Sequence, residues 1–118
     1  MTITVVTTTE EVVTLNDGDA LIVGPAGVVL GIDGPFGGLA AVGVFGGNTR
    51  VDNGGTIAGF NRQGIVVGGG EGPVRVVNSG GIFGGVSGAA VEAVGGSTLH
   101  LVNAGQVAGA AGTEGVVF

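Results

Sequence analysis

The stretch TRVDNGGTIAG (residues 49–59) is followed at a constant interval by VRVVNSGGIFG (74–84) and LHLVNAGQVAG (99–109), and the three align without a gap. Asn53, Asn78 and Asn103 fall 25 residues apart, each two residues after an aliphatic side chain and two before a glycine. A fixed period of this length marks a chain built by stacking one unit on the next. PAGVVLG (25–31) reads as a weaker earlier copy, with Pro25 in the place of the asparagine and Val29 in that of the aliphatic residue. A second apolar run follows in each unit, at LAAVGVF (39–45), GIVV (64–67), AAVEAV (89–94) and GVVF (115–118). Small residues then close the unit at Gly46–Gly47, Gly68–Gly70 and Gly95–Ser97, which makes about four units.

The apolar runs are short and rich in Val and Ile, and glycine interrupts every window long enough for a helix, so the runs are strands. The linkers are too short for helical crossovers. The economical arrangement is a coil in which each strand pairs in parallel with its equivalent one turn away, at about 4.8 Å per turn. The fold expected is all-β, a right-handed parallel β-helix of about four coils of roughly 25 residues. In it Val51, Val76 and Leu101 form one inward column, Ile57, Ile82 and Val107 a second, and Thr49, Val74 and Leu99 a third. Asn53, Asn78 and Asn103 form a structural ladder at a corner, where Asn tolerates a left-handed backbone and its amide can bond the identical amide of the next coil. Gly55, Gly80 and Gly105, then Gly59, Gly84 and Gly109, supply positive φ or close approach at the bends.

Composition agrees with a solenoid. Glycine fills 29 of 118 positions and hydrophobic residues 44%, with only 10% charged, so the usual charged shell is absent. A mean hydropathy of +0.66 argues against a disordered glycine-rich segment. The net charge of −6 and the absence of lysine argue against nucleic acid and anionic membranes as partners. Without cysteine there is neither a disulfide framework nor a thiolate metal site. No run reaches the roughly 20 apolar residues of a membrane span, and MTITVVTTTEEVVTLNDGD (1–19) lacks the basic and apolar regions of a secretory signal, so export would need another route.

The V-x-N-x-G-x-I-x-G unit, over residues 25–118, resembles the repeats of right-handed parallel β-helix passengers in bacterial autotransporters and other surface adhesins. The resemblance implies a stiff structural or adhesive module at the bacterial cell surface or outside the cell, and no enzyme. Related glycine-rich coils occur in phage tail spikes and in polysaccharide-active enzymes, so a virion spike component and a polysaccharide lyase or hydrolase fragment stand as alternatives. Residues 1–20, Thr-rich and carrying Glu10, Glu11, Asp17 and Asp19, are expected to cap the first coil, with residues 21–118 as the solenoid. GVVF (115–118) breaks off in mid-unit on an apolar strand. That favours a solenoid truncated at its C-terminal side, with self-association through the open edge as the other reading.

Alternation places Arg50, Arg75 and His100 in one outward line. Asp52 or a loop carboxylate could neutralise it; otherwise it would dock an acidic glycan or a carboxylate-bearing cell-surface partner. Phe83 takes an outward slot occupied elsewhere by Ala58 and Ala108, and with Phe60 near the same corner it could stack on a sugar or on a neighbouring subunit. Catalytic signatures are weak. His100 lies mid-strand with no nucleophile elbow, and Asp33, Asp52, Glu71, Glu92 and Glu114 fall at different phases of the repeat. NDGD (16–19) and GIDGPFGG (31–38) hint at calcium ligands without the nonapeptide that would support them, and GGGEGP (68–73) lacks the residues of a phosphate loop. No cofactor or metal is expected.

Overall fold

The computed structural model describes residues 2–32, 39–68, 72–86, 88–94, 98–110 and 115–117. Asp33, Glu114, the calcium-like GIDGPFGG beyond Ile32 and the middle of GGGEGP (Gly69, Gly70 and Glu71) lie outside the described residues, as do Gly95–Ser97.

The chain winds through three strands per turn. The first turn holds β1 (Ile3–Val6), β2 (Thr9–Glu11) and β3 (Val13–Leu15); the second β4 (Ala20–Val23), β5 (Val28–Leu30) and β6 (Val42–Val44). The third holds β7 (Thr49–Asn53), β8 (Thr56–Ala58) and β9 (Ile65–Gly68), and the fourth β10 (Val74–Asn78), β11 (Gly81–Phe83) and β12 (Val91–Val94). The last holds β13 (Leu99–Asn103), β14 (Gln106–Ala108) and β15 (Val116–Val117). Equivalent strands pair in parallel into three sheets: β1-β4-β7-β10-β13, β2-β5-β8-β11-β14 and β3-β6-β9-β12-β15. This is a parallel β-solenoid, with about four coils of the repeat length standing on a shorter first turn.

The register is the one the repeat demands. Asn78 pairs with Asn53 and Asn103, Val76 with Val51 and Leu101, and Ile82 with Ile57 and Val107. A parallel ladder places like on like only when successive turns have equal length. Arg50 to Arg75 and Arg75 to His100 each span 25 residues. Val51, Val76, Ile57 and Ile82 are fully buried, and Leu15, Leu21, Val29, Val42, Val44, Ile65, Val67 and Val91 complete a dry core. Each such side chain contributes about 1.5–3 kcal/mol by leaving water, so the core and not any single bond holds the turns together.

The asparagines form the expected ladder, by a different backbone route. Asn53 Nδ2 donates to Asn78 Oδ1 at 2.8 Å, and Asn78 Nδ2 donates to Asn103 Oδ1 at 2.8 Å. Each amide also bonds the corner it borders: Gly55 N–H donates to Asn53 Oδ1, and Asn53 Nδ2 reaches the Gly81 carbonyl of the next turn at 3.0 Å. All three asparagines close a strand in extended conformation. Among the described residues left-handed φ occurs only at Val12, Gly18, Asn48 and Gly72, so the expected left-handed corner is corrected. The corner glycines are required by crowding instead. A Cβ on Gly55 would lie 2.2 Å from the Gly27 carbonyl oxygen, on Gly80 2.1 Å from that of Gly55, and on Gly105 2.1 Å from that of Gly80.

The first two turns depart from the repeat. Val23, not Pro25, pairs with Asn53, while Val29 does pair with Ile57 as expected. The corner between them therefore spans six residues in the second turn, Val23 to Val29, against four from Asn53 to Ile57, and Pro25 sits in the added length. A further excursion leaves after β5, where Ile32 and Leu39 form an antiparallel bridge. Ala20 to Arg50 consequently spans 30 residues, and Ile3 to Ala20 only 17.

Residues 3–15, within the segment 1–20 expected to cap the first coil, form this shortest turn and pair along all three sheets. So few residues enclose a narrow cross-section, which is why Val6 and Leu15 are buried although they belong to a terminal turn. Tightness has a cost at Val12, which alone joins β2 to β3 and takes φ of 50°. A β-branched residue there is strained by about 1–2 kcal/mol; its N–H is held by the Leu30 carbonyl of the next turn at 3.0 Å.

Candidate functional site

The outer face of the first sheet carries the scarce cations. In every strand the residues flanking an inward side chain point outward, and the ladder sets Ile3 and Ala20, then Arg50, Arg75 and His100 in register along one line. Arg50, Arg75 and His100 are all exposed. A second outward line, two residues along, runs Val5, Ile22, Asp52, Val77 and Val102. The sheet thus shows solvent a face that is aliphatic at Ile3, Val5, Ile22 and Val102 and cationic only where the regular turns begin.

The two arginines differ in their partners. Asp52 points outward on the same strand as Arg50 and accepts from Arg50 Nε with both carboxylate oxygens, at 2.8 and 2.9 Å. Both groups are exposed, so the pair adds little to stability, yet it neutralises the first member of the line. At the position of Asp52 the next two turns carry Val77 and Val102. Arg75 therefore has no ion-pair partner among the described residues. With Pro73 and His100 it lines a shallow hollow of about 190 Å³. The expected neutralisation by Asp52 holds for Arg50 and leaves Arg75 beside His100 as the uncompensated part of the strip.

Phe83 stands in register with Ala58 and Ala108, in the outward slot expected of it, but its ring is not presented freely. It folds back along its own strand over Gly81, where a Cβ would come within 2.5 Å of the ring. The same pairing occurs at Gly43, covered by Phe45 on the third sheet. An outward glycine two residues before an outward phenylalanine leaves a flat patch of backbone that the ring shields from water. Phe83 is accordingly half-buried, whereas Phe60, in the corner after β8, is exposed.

The second Gly-x-Phe pair belongs to a groove of about 210 Å³ on the outer face of the third sheet. Thr14, Gly43 and Val66 form its floor, and Leu39, Phe45 and Arg62 are among its walls. Leu39 and Phe45 are more than half exposed. Gln63, which also lines the groove just before β9, donates through Nε2 to Glu92 Oε1 on the adjacent strand β12. Sequence reading places Phe45 at the end of the second apolar run, 39–45, without assigning it a side, and so misses this surface. The VGVF spacing at 42–45, matching GIF at 81–83, is the signal that reveals it.

The carboxylates of NDGD serve the backbone. Asp19 accepts from the Asn16 and Thr2 N–H groups, each at 2.9 Å, and Asp17 Oδ1 accepts from Gly47 N–H at 2.7 Å. The Asn16 and Thr2 amides hold the Asp19 carboxyl below its ordinary value by stabilising the anion. No cluster of three or more metal-ligating side chains occurs among the described residues. No helix among them is long and apolar enough to cross a membrane. Compared with models of protein families, with curated proteins and with solved structures, the chain finds no match, so its surface chemistry has to be read from its own residues.

Proposed function

We propose that this protein is a structural and adhesive β-solenoid module of a bacterial surface or secreted protein, of the kind its repeats resemble. It acts as a stiff spacer whose first sheet contacts an acidic glycan or another carboxylate-bearing partner. The observation that carries the reading is the in-register line of Arg50, Arg75 and His100, with Arg75 in no ion pair among the described residues on a face that is largely aliphatic. Like charges one strand apart repel, and a chain with three Lys and Arg residues in all gains nothing for its own fold by placing two of them together. Arg75, flanked at about 4.8 Å by His100 and by the Asp52-paired Arg50, faces a carboxylate with a contact that is weak singly and adds through avidity when the module is presented in many copies. The spacer role rests on the continuous ladders and dry core, which leave no element able to open without exposing its neighbours.

Four of the nine acidic residues, Glu10, Glu11, Asp17 and Asp19, lie in or beside the first turn, away from the cationic half of the line. The net charge of −6 is thus spread unevenly along the chain. Retention on immobilised polygalacturonate, compared with neutral dextran at low and high salt, tests the reading. Arg75→Ser brings retention down to the dextran level, whereas Arg50→Ser, which removes an arginine already paired with Asp52, lowers it less. Equal retention of Arg75→Ser and the unmodified protein would remove the strip as the contact surface.

A further inference from the structure

The asparagine ladder has a direction, and its last member is short of partners. Asn53 Nδ2 contacts three acceptors: the Gly55 carbonyl of its own turn, and Asn78 Oδ1 and the Gly81 carbonyl of the next. Asn78 Nδ2 repeats this with the Gly80 carbonyl, Asn103 Oδ1 and the Gln106 carbonyl. Among the described residues Asn103 Nδ2 keeps only the Gly105 carbonyl, at 3.3 Å, and Asn103 is exposed. Around it Leu99, Leu101, Val107 and Val116, whose equivalents are buried in the turns before, are only partly covered. The described residues of this turn include no Asp, Glu, Lys or Arg.

We infer that the C-terminal face of the solenoid is a selective template for one further parallel turn, an unpaired segment with aliphatic residues at the Leu99 and Leu101 positions, Asn over Asn103, Gly two residues later and an aliphatic residue over Val107. Each requirement is read from the interface between existing turns. The asparagine supplies the missing Oδ1, and a carbonyl three residues on completes the set, as Gly81 follows Asn78 and Gln106 follows Asn103. The glycine is required because a Cβ at that place meets the carbonyl of the turn beneath, as at Gly80 over Gly55 and Gly105 over Gly80. Main-chain pairing along the edge of β13 gives affinity, and these two positions give selectivity.

A second folded copy does not meet these requirements in either orientation. At the opposite face the short first turn holds Val6 in the asparagine column, through Val23, and Glu10 in the column of Val29 and Ile57. That face offers no side-chain amide oxygen to Asn103 Nδ2 and has the wrong girth. Two C-terminal faces together would set donor against donor, with strands antiparallel. The occupant is therefore a segment not yet part of a stack, and the inference does not depend on what the cationic line contacts.

The test uses the whole chain and three fluorescent peptides with the sequence of residues 98–110, TLHLVNAGQVAGA: unmodified, with the change equivalent to Asn103→Val, and with that equivalent to Gly105→Ala. Anisotropy should show the unmodified peptide binding at least about tenfold more tightly than either altered one, the cost of an unmet buried amide or a backbone clash. The protein variant Asn103→Val, which lies at an exposed position and keeps the fold, should lose its preference between the Asn and Val peptides. Equal binding of the three peptides, no binding, or a face already closed by dimerisation in sedimentation velocity would each overturn the inference.

Discussion

Asn78→Leu lowers the thermal midpoint by roughly 10–15 °C, a loss of about 3 kcal/mol for a chain of this size, while the same substitution at Asn103 costs about 1 kcal/mol or less. The side chain of Asn78 is 1% exposed and bonded on both sides. Leucine fits the space approximately and buries as much carbon. It leaves Asn53 Nδ2 without its shortest bond and takes the Asn78 amide donor from Asn103 Oδ1 and the Gln106 carbonyl. A buried amide deprived of one partner loses more than the mean value of a hydrogen bond, because the penalty for leaving water is no longer offset. Asn103→Leu also takes the shortest bond from Asn78 Nδ2, but the Asn103 amide itself borders water and bonds only the Gly105 carbonyl among the described residues, so fewer groups are stranded and the loss is smaller. Thermal and urea unfolding of the two variants measures the contrast. Equal losses would mean that the ladder is not a buried chain of amides.

Gly80→Ala is the second large effect, with an expected loss of about 3 kcal/mol or more. A single methyl at Gly80 meets the Gly55 carbonyl oxygen at 2.1 Å and the Gly54 carbonyl carbon at 2.9 Å, both backbone atoms of the turn before. Neither atom can swing aside as a side chain would, so the turns must separate along the corner and weaken the Asn53 to Asn78 bond beside it. Gly18→Ala is the control. Gly18 has φ of 77° and open space around its missing Cβ, so alanine there costs about 1 kcal/mol of backbone strain and nothing in packing. Urea denaturation of both variants separates crowding from conformational preference. A Gly18 variant less stable than the Gly80 variant would contradict the crowded corner. The same contact bears on the spacer role, because turns seated this closely leave the stack little freedom to bend there.

What the sequence made legible follows from equality of turn length. Where two turns have the same number of residues, equivalent side chains meet, and their likeness is visible as a repeat. Asn53, Asn78 and Asn103, the three inward columns and the outward line of Arg50, Arg75 and His100 could all be placed this way. Where length changes, the pattern is lost although the stacking continues. Val23 lies under Asn53 without resembling it, and the added residues of that corner made Pro25 seem equivalent. The first turn was hidden more thoroughly. Its 17-residue span up to Ala20, with Val6 and Leu15 as buried anchors and an exposed TEE strand, shares no motif with the rest.

The glycines show a second limit. Composition reveals that a corner needs them but not whether conformation or space requires it, and here Gly55, Gly80 and Gly105 serve space. For the candidate site, alternation gives the side of the sheet and not the direction in which a side chain lies. Phe83 is outward as expected, and its ring lies along the strand over Gly81. Asp52 proved to be the partner of Arg50 alone because Val77 and Val102 occupy its place in the following turns, a consequence of register that only the paired strands make plain.

Stacking in register is the claim on which the rest stands, and cysteine pairs test it directly, since the chain has no cysteine of its own. Arg50→Cys with Arg75→Cys places two exposed thiols on laterally paired positions, with Cα atoms about 4.8 Å apart, inside the window for a disulfide. Arg50→Cys with Val77→Cys displaces the second thiol by two residues along the strand, to about 8 Å. Under mild oxidation the first pair should close rapidly within the monomer and the second should stay reduced. Comparable closure of the two pairs, or closure of the displaced pair alone, would contradict the register.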